Sequence, residues 1–114
     1  MRVLLDECLP RDLVRALPGF DPKTARQMSW LGIKNGRLLK LIGDSRAFDV
    51  FVTVDKNLPY QQNLAEISFA IVVLTLKSNR VNDVLAHVPE LIRRLPDLKP
   101  GDVVVLVPPG AGSG

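Results

Sequence analysis

The residues best suited to chemistry in this chain are two acids placed where apolar runs end. Val3, Leu4 and Leu5 lead directly into Asp6 and Glu7, and Val50 to Val54 lead directly into Asp55. Both runs have the length and the β-branched or aliphatic character of short buried strands. In an open parallel α/β sheet the carboxyl ends of the strands are where ligands gather. Two acids brought together there repel each other unless a cation lies between them. Mg2+ and Mn2+ take oxygen ligands and are commonly held by one or two carboxylates plus water and substrate phosphate. Such an ion lowers the pKa of a bound water and neutralises charge on a scissile phosphodiester. The expectation is therefore phosphodiester cleavage, with Asp6 and Asp55 holding the metal and Glu7 or Asn57 orienting water. Each acid also has an ordinary reading. Asp6 or Glu7 can favour the start of the helix near Pro10, and Asp55 can belong to a turn.

Other residues could serve the same site. Arg11, Arg15, Lys34, Arg37, Lys40 and Lys56 lie near the acids in sequence and could grip a phosphate backbone. Among these, Arg11, Arg37 and Lys56 are the main candidates for contact with RNA, together with Asn57 and with Tyr60, whose ring could stack on a base. The usual fate of such charges is a solvated helix face. Asn35 could offer a neutral oxygen or simply cap a helix. Asp49 starts its strand, so it belongs at the opposite end of the sheet from Asp55 and reads as structural. Cys8 reads as a small buried filler, Trp30 as a packing residue and His87 as solvent-facing.

Composition narrows the classes. The chain has 114 residues, enough for one domain and not for two. Its single cysteine rules out an internal disulfide and a Cys-rich zinc site, and its single histidine argues against a His-based metal site or a Ser-His-Asp triad. The net charge of +3 tolerates a polyanionic partner without demonstrating one. No secretory signal is evident, and no apolar run approaches the ~20 residues of a membrane span. The expectation is a cytoplasmic protein with no membrane partner.

These residues need elements to position them. The pattern predicts strands at 2–5, 49–54, 68–75 and 103–107. It predicts helices from Pro10 to the Pro18-Gly19 stop, over about 24–31 and 36–47, and from Pro59 to about 65. The Thr24/Gln27 capping box supports the second of these helices, with a short extended piece at 20–23 as the alternative. Val81, Val84, Leu85, Val88, Leu91, Ile92 and Leu95 give the longest helical stripe. Pro89 inside it implies a kink or two abutting helices. Strands alternating with helices imply an α/β fold, a mostly parallel four-stranded sheet flanked by helices over residues 1–107, followed by a disordered tail at 108–114.

The segments LLDECLP, LGIKNGRLLKLI and DVFVTVDKNLPYQQNL resemble the small, toxin-type PIN-like domain family. Its members begin with a strand followed by Asp-Glu-Asn-Leu-Pro and carry a strand ending in Thr-x-Asp about halfway along. SNRVNDVLAHVPELI is similar to the family's last helix, so the resemblance covers roughly residues 1–95. It implies a PIN-like Rossmannoid domain and a Mg2+- or Mn2+-dependent ribonuclease, the toxin of a toxin–antitoxin pair. It also implies a homodimer and a cognate antitoxin as partners. Asp6 matches the first metal-binding acid and Asp55 the acid of Thr-x-Asp. Cys8 stands where relatives usually have Asn, Asn35 and Arg37 where a helix-borne acid is common, and Asn57 where many have a further Asp. A degenerate PIN-like module that binds RNA or protein without cutting is the rival. A phosphate-accepting receiver built on Asp6, Glu7, Asp55 and Lys77 fits poorly, because only one strand separates Asp55 from Lys77.

Overall fold

The computed structural model describes residues 1–33, 35–58, 66–78 and 80–109. Its frame is a five-stranded sheet in which every pairing is parallel, in the order β2-β1-β3-β4-β5. The strands are β1 (Val3–Leu5), β2 (Pro22–Thr24), β3 (Val50–Thr53), β4 (Ala70–Leu74) and β5 (Val103–Leu106). The helices are α1 (Asp12–Ala16), α2 (Asn35–Ser45), α3 (Val81–Leu85) and α4 (Val88–Arg94).

Strand alternation splits the apolar residues into two cores. Val3, Leu5, Val50, Val52, Val72 and Leu74 face α1, α3 and α4, where Leu13, Val84 and Leu91 meet them. Leu4, Phe51, Ile71 and Val73 face the other way, onto Leu38, Leu39 and Ile42 of α2 and onto Phe48, Leu58 and Phe69. Both faces of β1, β3 and β4 are covered, which is why these strands read as unbroken apolar runs rather than alternating ones.

The extra strand corrects the expected count of four. Residues 22–24 join β1 as a parallel edge strand, and the helix expected over 24–31 does not form. The capping-box bonds are nevertheless made: Gln27 N–H donates to Thr24 Oγ1 at 3.2 Å, and Thr24 N–H donates to Gln27 Oε1 at 2.8 Å. They close a turn instead of starting a helix. Ser29 takes a left-handed φ of 61°, and Trp30 N–H reaches back to the Ala25 carbonyl, so the chain leaves after one turn.

The long stripe after β4 is two helices, as Pro89 implied. Pro89 occupies the first turn of α4, where a missing N–H costs nothing. The break re-phases the chain and overturns the solvent-facing expectation for His87. Its side chain is buried, and its Nε2 lies 2.8 Å from the Thr75 carbonyl oxygen at the end of β4. Tyr60, the helix expected from Pro59 and the tail beyond Pro109 lie outside the described residues.

Candidate functional site

The strand order explains why the acids meet. The chain runs from β1 outward to β2, then crosses back over β1 to β3, so its direction reverses between β1 and β3. At such a switch point the loops leaving adjacent strands part and open a crevice outside their carboxyl ends. Asp6 ends β1 and Asp55 follows β3, one on each side of that crevice.

Asp6 extends the β1 ladder, its N–H donating to the Val52 carbonyl at 3.0 Å. Its carboxylate is held on both sides. Oδ1 accepts the Glu7 N–H at 2.8 Å, and Oδ2 accepts the Thr53 hydroxyl at 2.6 Å. The Thr53 Oγ1 in turn accepts the Asp55 N–H at 3.1 Å. Asp55 makes an Asx turn, its Oδ1 accepting the Asn57 N–H at 3.0 Å while its carbonyl accepts the Leu58 N–H. That turn is the ordinary role foreseen for Asp55, and among the described residues only Oδ1 of its carboxylate is engaged.

Burial pushes the Asp6 carboxyl above its ordinary value. The bonds from Thr53 and from the Glu7 amide pull it back down, and the negative charges of Glu7 and Asp55 push it up again. The Asp55 charge is the smallest of these influences on Asp6, and it has the sign that a cation between the acids would relieve. Cys8 belongs to the same corner. It is exposed rather than the buried filler expected, yet partial desolvation of its thiol and the nearby Asp6 charge push it up to about 11. A residue can be exposed as a whole while its sulfur lies against protein.

Glu7 is drawn elsewhere. Its Oε2 accepts the Gly32 N–H at 3.1 Å, tying the end of β1 to the turn ahead of α2, where Gly32 has a φ of 74°. This anchoring had no signal in the sequence, because the partner is a main-chain group 25 residues away. Arg11 precedes α1 and Arg37 lies in the first turn of α2; both are exposed. Lys56 and Asn57 are exposed beside Asp55, and Lys56 lines a cavity of about 300 Å3 with Val54, Val73 and Thr75. The Asn35 side chain lies outside what is described. Asp49 is at the far end of the sheet, as expected, and accepts the Arg2 N–H and guanidinium. The larger cavity, about 700 Å3, opens at that same amino-terminal edge beside Arg2, Asp49 and Phe69, and neither strand-end acid lines it.

Thr53 entered the sequence reading only as the threonine of the Thr-x-Asp resemblance, with no role of its own. Its signal was a single hydroxyl at the end of an otherwise apolar strand, two positions before an acid.

Among the described residues no three His, Cys, Asp or Glu side chains gather closely enough to hold a metal ion. The donors present suit a hard cation that keeps most of its water and is held by two carboxylates, as Mg2+ often is. They do not suit a closed protein-only cage. No helix among the described residues is long and apolar enough to cross a membrane. Comparison with protein-family models, with curated proteins and with solved structures finds no match.

Proposed function

We propose that this chain is a PIN-like ribonuclease that uses Mg2+ or Mn2+ and works in the cytoplasm as the toxin of a toxin–antitoxin pair. The observation that carries the reading is the juxtaposition of Asp6 and Asp55 across the β1/β3 switch point, joined through Thr53. The family resemblance of the segments around both acids supplies the rest. Asp6 and Asp55 would hold the ion, which when bound supplies an activated water and neutralises phosphate charge. Exposed Lys56, Arg37 and Arg11 would contact the RNA backbone and fix its register without reading sequence. Asn57 would orient water beside Asp55. A cognate antitoxin and a second copy of the chain are the protein partners proposed with this reading.

The test is cleavage of RNA by pure protein with Mg2+ or Mn2+, set against Asp6→Asn and Asp55→Asn. Each substitution should lower kcat/KM by at least about 100-fold, the scale expected when several kcal/mol of metal-borne stabilisation are lost. Equal activity in all three proteins would sink the mechanism. A second reading, a degenerate module that binds RNA or protein without cutting, is favoured by the two-acid donor set and by Arg37 and Asn57 at positions where relatives carry acids. Calorimetry separates the two readings, since the module should show no saturable binding of divalent metal at millimolar concentration.

A further inference from the structure

We propose that Thr53 is the positioning residue of the acid pair, its buried hydroxyl fixing the Asp6 carboxylate to the Asp55 main chain. The catalytic consequence rests on the ribonuclease reading; the positioning itself does not. Thr53 is fully buried at the last position of β3, and Val50, Phe51 and Val52 before it are all apolar. Valine would satisfy the same strand equally well, so packing alone does not ask for a hydroxyl.

A hydroxyl has one proton to give and two lone pairs to receive with. The Asp55 N–H can only donate, so Thr53 Oγ1 must accept there. Its own proton is left for Asp6 Oδ2, and the 2.6 Å distance fits a bond to a charged oxygen. The direction of the relay is thereby fixed. With Glu7 N–H on the other oxygen, Asp6 is held at both Oδ1 and Oδ2. Each oxygen keeps a lone pair for a ligand. Without the hydroxyl, a half-buried carboxylate facing the charges of Glu7 and Asp55 loses one of its two restraints and is free to turn away. The Asp55 amide loses its acceptor in the same step.

The experiment compares wild type, Thr53→Val and Thr53→Ser as whole proteins. The first readout is NMR of the metal-free protein. The valine variant should replace the single Asp6 χ1 rotamer with averaged couplings. It should also speed exchange of the Asp55 amide by about 3- to 10-fold, the factor that corresponds to one net hydrogen bond. The serine variant should keep both near wild type. A valine variant that leaves Asp6 in one rotamer, with unchanged Asp55 exchange, would overturn the proposal. So would a serine variant as disturbed as the valine. The second readout is RNA cleavage with Mn2+. Thr53→Val should lower kcat about 30- to 100-fold with little change in KM, the cost of misplacing a reacting group by a fraction of an ångström to an ångström. Thr53→Ser should restore most of it. A wild-type kcat in the valine variant would remove Thr53 from the mechanism. A wild type that cuts no RNA overturns the ribonuclease reading, and the NMR comparison then decides the positioning by itself.

Discussion

Replacing His87 by alanine and by leucine should give two well-separated stabilities. The ring is 1% exposed, and its Nε2 is bonded to the Thr75 carbonyl while Nδ1 is buried with no partner among the described residues. Alanine removes a packed ring at the α3–α4 junction and leaves a cavity, an effect of about 2–4 kcal/mol for large-to-small core changes. It also removes one hydrogen bond, about 1 kcal/mol net, and relieves the unpaired Nδ1, worth about 1–3 kcal/mol in the other direction. The balance is a loss of about 2 kcal/mol, a large fraction of the ~5–15 kcal/mol that holds a domain of this kind together. Leucine fills most of the same volume. It gives up the bond to Thr75 and also removes the unpaired nitrogen, so it should fall within about 1 kcal/mol of wild type. The Thr75 carbonyl that leucine leaves without this partner is part-buried, and its cost offsets the relief of Nδ1. Urea titration at fixed m reads both differences from the midpoints. Leucine costing as much as alanine would refute the reasoning, because the two variants lose the same hydrogen bond and the same orphan nitrogen and differ only in the volume they fill.

Two further outcomes follow from the acid corner. The Asp6 carboxyl sits above its ordinary value of 3.8, so the folded state binds that proton more tightly than the unfolded chain does. The stabilisation this gives is complete below 3.8 and is lost as pH rises through the folded value. The stability of wild type relative to Asp6→Asn should therefore fall as pH rises from about 3.5 to 7, measured by denaturant midpoints across that range; a flat or rising difference would contradict the burial. The Cys8 thiol, pushed up to about 11, should alkylate with iodoacetamide at neutral pH more than about tenfold more slowly than an ordinary cysteine of pKa about 8.5. Asp6→Asn should speed that reaction, and no change on substitution would mean that the two side chains do not sense each other.

The alternation of strands and helices was legible because β1, β3 and β4 are buried on both faces and so carry unbroken apolar runs. β2 was harder to see. Its three residues, Pro22, Lys23 and Thr24, have neither the length nor the apolar pattern of a strand, and they form one only because β1 offers an open edge. The Thr24/Gln27 pair misled for a related reason. Its two hydrogen bonds are local and form as expected, but whether a helix continues past them depends on Ser29 and on where the chain must go next. His87 was misplaced because an unbroken helical phase was carried through a junction that Pro89 and the packing on β4 reset. Glu7 or Asn57 was expected to orient water, and the bond that Glu7 also makes to Gly32 could not be read from neighbours in sequence.

The sequence by itself determined that acids follow the apolar runs at 3–5 and 50–54, because hydrophobic runs and the residues that stop them are local properties of the chain. Its single cysteine and single histidine also turned the expectation away from Cys-rich and His-based metal sites and toward carboxylates. Only the tertiary structure decided that β1 and β3 lie side by side with the chain reversing between them, and that Thr53 reaches both acids at once. Strand order is set by how the helices cover both faces of the sheet, a global packing problem. A hydroxyl that bonds a carboxylate 47 positions away is a consequence of that order, not of its own surroundings in sequence.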